Sequence, residues 1–386
     1  MLANFINVSS AFTTGQIGSL PRRIVFATRE TVSGFTPDAH SGLISVTAAQ
    51  VAAVVAANPS SYAVAKFLAT AFAGSVAPDF VYILCTGGGA LTNAMLDKAN
   101  YSPRSWSFLN VGSLTNGLSD ASTYTPDCVT ASAWCTDAKA KIFFMSWSMI
   151  DGGTLPAALL LGGSLTTSKR TITVVTNAYD AIDEYTDCYH NPLLAALCAV
   201  LYGGSIARSI GSLSDAHDFN GVAGDTYSST TRAYIAGQSL AQYNGAKDQG
   251  GSLFIYDTFM NSTQNPPTTM QLETQIAIDY INDYCVVSAR NSLIAAGRTG
   301  VDGDYAGVLE VSALTRSALD TLWKAGAILS NADGSAAYTL VTLSATQIAA
   351  LNPAWQAQGI IPVGSIVAQI AAYKAIHYFT IAFNFN

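Results

Sequence analysis

Asn244-Gly-Ala-Lys-Asp-Gln-Gly-Gly-Ser-Leu-Phe-Ile-Tyr-Asp257 opens the part of the chain that decides the fold. Gly250 and Gly251 lead into the apolar run Leu253, Phe254, Ile255 and Tyr256. That run is too short for a helix and bounded by turn residues, so it reads as a buried strand. Beyond the turn at Pro266-Pro267, Ile276, Tyr280, Tyr284 and Val287 recur at steps of three and four, and Ala277 and Ile281 widen the stripe. This spacing predicts a long amphipathic helix that Gly297 stops.

Upstream, the same alternation of strand and helix signals begins at Arg23. Ile24-Val-Phe26, Phe80-Val-Tyr-Ile-Leu84, residues 106–111, Ile142-Phe-Phe-Met145 and Thr171-Ile-Thr-Val-Val175 read as strands. Thr47-Ala-Ala-Gln50 fits a capping box opening a helix that runs to Ala57, and residues 61–72 form a second helix stopped by Gly74. Further helical patterns lie at 131–140 and 192–202, while 111–130 and 150–168, rich in Gly, Ser and Thr, read as loops or outward edges. Downstream, Thr315 is placed as the cap of a helix whose Ala318, Leu319, Leu322 and Trp323 share a face, stopped by Gly326. A strand at 338–343 and a short helix at 345–351 follow. The pattern is that of an α/β and α+β protein, with mixed sheets flanked by helices.

The two ends of the chain are different. Residues 1–20 contain no Lys, Arg, Asp or Glu, and Phe5, Ile6 and Val8 mark a short strand. At the other end Phe379, Ile381, Phe383 and Phe385 alternate with Tyr378, Thr380, Ala382 and Asn384, so one face of the terminal strand is apolar to its tip. An unpaired strand of that kind is an aggregation hazard, and it requires a partner within its own domain or in another subunit. The expected organisation is therefore a strand arm at 1–20, an α/β domain at 21–225, an α+β domain at 226–372 and a second strand arm at 373–386.

Composition narrows the function. The chain has 386 residues, enough for two domains, and 50% are hydrophobic. Only 11% are Asp, Glu, Lys or Arg, against about 25% in an average soluble protein. A free monomer needs charged surface to stay dispersed, whereas a subunit covered by neighbours does not, so the deficit favours an extended assembly. A net charge of -7 without any basic run argues against binding nucleic acid. The longest apolar run, 193–202, is too short to span a bilayer, so no membrane insertion is expected, and no positive flank precedes an apolar stretch at the N-terminus. Cysteines at 85, 128, 135, 188, 198 and 285 form no Cys-x-x-Cys pair and read as reduced core thiols.

Chemistry-bearing motifs are sparse. Gly87-Gly88-Gly89 follows a strand but lacks both the Lys-Ser/Thr of a phosphate loop and dinucleotide spacing. Cys188-Tyr189-His190 has no second ligand pair nearby, and Asp279 and Asp283, one helical turn apart, read as a solvated face. His40, His190, His217 and His377 lie in unrelated contexts, and no Gly-x-Ser-x-Gly elbow is present. No catalytic, cofactor or metal residue is assigned.

The order Tyr243-Asn244, Gly-rich turn, strand ending in Asp257 and long helix carrying Tyr280-Ile281 resembles the central part of contractile phage tail sheath proteins. More specifically, it is similar to a sheath-like family of long-tailed phages. Phe5-Ile-Asn-Val8, Arg23-Ile-Val-Phe-Ala27 and Ala325-Gly-Ala-Ile328 extend the resemblance over most of the chain. It implies a non-enzymatic subunit that polymerises helically around a tail tube and contracts to drive the tube through a host envelope. Implied partners are further copies of itself, the tube protein, and baseplate and tail terminator proteins, in a virion tail assembled in the host cytoplasm. On this view Phe5, Ile6, Val8, Tyr378, Phe379, Ile381, Phe383 and Phe385 make inter-subunit strand contacts. Two alternatives stay open on sequence alone: a hydrolase-like α/β enzyme, and another tail component such as a tube or injection-device subunit.

Overall fold

The computed structural model describes residues 23–58, 62–73, 78–101, 106–112, 121–136, 139, 141–166, 168, 170–176, 227–238, 240–244, 254–256, 272–297, 301 and 304–371. The chain divides into two compact units, with a boundary between Leu272 and Glu273.

The first unit is built on an eight-stranded sheet. Its strands are β1 (Ile24–Thr28), β2 (Ile44–Thr47), β3 (Phe80–Cys85), β4 (Phe108–Gly112), β5 (Ile142–Ser148), β6 (Thr171–Thr176), β7 (Ala241–Asn244) and β8 (Phe254–Tyr256). They lie in the order β2-β3-β1-β4-β5-β6-β7-β8. From β3 to β7 every neighbouring pair is parallel, and β2 and β8 close the two edges antiparallel. Strands covered on both faces read as unbroken apolar runs, and all five residues of β1 and of β4 are indeed buried.

Helices follow the strands as the sequence signals place them. A 3-10 turn, Ala48–Gln50, leads into α1 (Val51–Ala57), where the Thr47 N–H donates to Gln50 Oε1 at 3.0 Å to complete the predicted capping box. Then come α2 (Tyr62–Ala73), α3 (Asn93–Ala99), α4 (Ala121–Trp134) and α5 (Ser229–Gly237). One sheet face gives Val25, Leu109, Val111, Phe143 and Met145 to a core shared with Leu96 of α3, Cys128, Ala131 and Trp134 of α4, and Ile235 of α5. On the other face Phe26 stacks on Phe67 of α2 with centroids 4.3 Å apart. That ring lies so close to β4 that a Cβ on Gly112 would sit 2.0 Å from Phe26 Cζ.

The second unit contains α6 (Leu272–Ala295), α7 (Tyr305–Lys324), β9 (Tyr338–Thr342), α8 (Ala345–Leu351), α9 (Trp355–Gln358) and β10 (Ile366–Ile370). Tyr280 and Ile281 of α6 and Leu319 and Leu322 of α7 form its core with Ala327 and Ile328, and Tyr338, Leu340 and Ile370 of the antiparallel pair β9/β10 pack against it. The predicted long helix and its stop are present: Gly297 has φ 71°. At the end of α7, Gly326 has φ 80° and the Ala327 N–H donates to Leu322 O at 3.0 Å, a left-handed helix end that favours glycine.

Four expectations are corrected. The domain boundary expected at 225/226 lies further on, because β7 pairs with β6 through Val174↔Ala241 and β8 pairs with β7, so 229–256 belongs to the first sheet. The helix expected at 131–140 is α4, which ends at Trp134 and takes in 121–130, expected as loop. Its Ser, Thr and Pro126 disfavour helix locally, and burial of Asp127 and Cys128 overrides that preference. Thr315 does not cap α7: Asp304 does, accepting from the Gly307 N–H at 3.1 Å. Thr315 instead sits inside the helix with its hydroxyl donating to Val311 O at 2.8 Å.

Candidate assembly surfaces

Two places in the fold could carry function. The first is the point where the sheet reverses its strand order, the usual ligand position of a doubly wound sheet. Here it is the carboxyl end of β1, flanked by β3 and β4. Arg29 follows β1 directly and grips Asp127 of α4 through Nε at 2.7 Å and Nη2 at 2.9 Å. Asp127 also accepts the Leu91 N–H at 3.0 Å. Beside it, Glu30 accepts the N–H groups of Ala63 and Val64 in the first turn of α2, at 2.8 and 2.9 Å. Burial pushes the Glu30 carboxyl up to about 7, against the lowering effect of those two N–H groups. Gly87-Gly88-Gly89 is a plain turn between β3 and α3: Gly87 and Gly88 have φ 67° and 84°, and the Gly88 N–H donates to Arg29 O at 3.1 Å.

The second place is the two-stranded sheet. Among the described residues β9 and β10 pair with each other and with no further strand. The inward face carries Tyr338, Leu340 and Ile370, which pack on α6 and α7. On the opposite face Val341 is 56% exposed and its cross-strand partner Val367 is 44% exposed, an apolar pair presented to solvent. Two bonds tie β9 to α7: Tyr338 OH donates to Asp320 Oδ1, and Ser312 Oγ and Thr342 Oγ1 lie 2.6 Å apart. Burial, then the Asp320 carboxylate, pushes the Tyr338 hydroxyl up to about 12. On α7, Leu309, Ser312, Ala313, Arg316, Ser317 and Asp320 line an open depression.

Other sequence candidates fall elsewhere. Asp279 on α6 accepts from Gln275 Nε2 at 2.9 Å, an ordinary one-turn helix contact. His40 stacks on Tyr101 at the surface, with centroids 5.2 Å apart. Cys128 and Cys135 are buried and form no disulfide, and among the described residues no three His, Cys, Asp or Glu side chains gather as a metal site. No described helix is long and apolar enough to cross a membrane. Phe5, Ile6, Val8, Tyr378, Phe379, Ile381, Phe383 and Phe385 lie outside the described residues, as do Cys188, His190, His217 and His377. Sequence reasoning missed the pair β9/β10 as a surface, although the strand at 338–343 was legible; the pairing with β10 was not, because Ile366–Ile370 has no flanking apolar alternation.

No protein-family model matches the chain, and no curated protein matches it. Solved structures do. A chain of the anti-feeding prophage baseplate is 11% identical with a TM-score of 0.65, covering 99% of both chains. A chain of the anti-feeding prophage helical sheath in the contracted state is 11% identical with a TM-score of 0.63, covering 98% of this chain and 99% of that one. A sheath tail protein from Listeria innocua is 10% identical with a TM-score of 0.56, covering 90% and 94%. At these identities the likeness concerns the fold alone: the chain has the architecture seen in these sheath and baseplate chains.

Proposed function

We propose that this chain is a sheath subunit whose copies polymerise helically around a tail tube and contract to drive the tube through a host envelope. The observation that carries the reading is the near-complete coverage of a contracted sheath chain in both directions. Copies are held together by strand exchange. The outer edges of β9 and β10 receive the strands carried by Phe5, Ile6 and Val8 and by Tyr378, Phe379, Ile381, Phe383 and Phe385 of neighbouring copies. Added strands gain main-chain hydrogen bonds, and alternate side chains gain pockets. Tethers of this kind hold neighbours while their globular bodies slide.

The tube, the baseplate and a tail terminator are its partners, in a phage tail or a tail-derived injection device assembled in the cytoplasm. The chain does no catalysis. Electron microscopy of the purified protein tests the reading: striated tubes are the expected result. A monodisperse monomer at every concentration and salt condition would rule it out.

A further inference from the structure

The carboxyl end of β1 gathers chemistry that assembly does not use. The chain runs from β1 to β3 on one side and then crosses to β4 on the other, the reversal of strand order beside which α/β sheets hold their ligands. Three donors meet there: Arg29 Nε, Arg29 Nη2 and the Leu91 N–H. All three bind one carboxylate, Asp127, which is 3% exposed and comes from α4. We propose that these donors form a carboxylate-binding cradle whose ligand is the chain's own Asp127, which fills the place that a small carboxylate would otherwise take.

The geometry is that of ligand recognition. A planar guanidinium faces both oxygens of the carboxylate, and a main-chain N–H adds a third bond from a separate loop. Burial withholds competing water, so each bond counts for more than in a surface ion pair. The same logic recurs beside it, where Glu30 takes the Ala63 and Val64 N–H groups. The chain thus supplies its own carboxyl groups at the position where α/β sheets bind foreign ligands. The ligand class that fits the emptied cradle is a monocarboxylate of formate size.

Asp127→Ala in the full chain removes the internal ligand and keeps the three donors. Thermal unfolding is then followed in sodium formate and in sodium chloride at matched ionic strength. The variant is expected to unfold at a lower temperature than the parent and to gain a saturable rise of about 3 °C or more in formate over chloride. The parent and the Arg29→Gln/Asp127→Ala double variant should show no such difference. Equal responses in all three proteins would overturn the proposal. Should Asp127→Ala fail to fold in chloride, refolding in formate must recover it and leave the double variant unfolded; absence of that recovery also overturns it.

Discussion

Trp106 and Trp134 stack with ring centroids 5.8 Å apart and planes 17° from parallel. Each carries a lysine on its outer face: Lys139 Nζ lies 4.9 Å from the Trp134 ring centre, and Lys141 Nζ lies 4.4 Å from that of Trp106. The ring nitrogens are held as well, Trp134 Nε1 by Asp97 Oδ1 and Trp106 Nε1 by Ala99 O, both at 3.0 Å. The column joins α3, α4 and the strand starts, so Trp134→Ala should cost about 3–5 kcal/mol. Denaturant unfolding measures the loss, and the near-ultraviolet dichroism of the coupled indoles should collapse with it.

Gly112 and Phe26 compete for one volume. Gly112→Ala should destabilise the first unit by about 1–3 kcal/mol through overpacking. Phe26→Leu, which leaves space above β4, should cost less in the Gly112→Ala background than in the parent. A double-mutant cycle that came out additive would show that the two positions do not meet.

Glu30 makes stability depend on pH. Burial pushes its carboxyl up to about 7 in the folded chain, against an ordinary value of 4.5. Between those values the folded state holds a proton that the unfolded state has released. The linkage slope is then negative: the contribution is greatest below pH 4.5 and is lost as pH rises towards 7. Unfolding free energies across this window should fall more steeply in the parent than in Glu30→Gln, and parallel curves would refute the assignment.

Cys135 is buried and its thiol is pushed up to about 12, chiefly by desolvation, with Lys141 and Arg170 pulling the other way. A thiol without accessible thiolate is a poor nucleophile. Alkylation of the native protein followed by mass mapping should leave Cys128 and Cys135 unmodified, and labelling of both in denaturant serves as the control.

Removal of 379–386 should leave a folded chain that does not form tubes. Circular dichroism reports the first outcome and electron microscopy the second. Ordinary tubes from the truncated chain would remove the terminal strand from the tethering scheme.

Much of the fold was legible in the residues. Strands buried on both faces, such as Ile24–Thr28, announce themselves as apolar runs, and α6 and its glycine stop follow from spacing alone. The failures have a common cause. In α4 and α5 the deciding contacts are polar and distant: Asp127 answers Arg29, and Ser228 and Thr231 both donate to Asp151. Local periodicity carries no trace of partners so far away in sequence. The candidate surface was half visible for a related reason, since β9 was evident by itself and its pairing with β10 depends on the turn of chain between them.

The ties to Asp151 have a consequence for how this chain can change. β6 ends beside β5, with Thr176 opposite Ser148, and Tyr227 returns to the same neighbourhood by donating its hydroxyl to Met149 O at 2.7 Å. Thr176 and Tyr227, the described residues that bracket 177–226, are therefore both fastened at the same end of β5. Anchors set so close together keep the closure cost of the span between them low at any length, and they leave the register of the sheet independent of it.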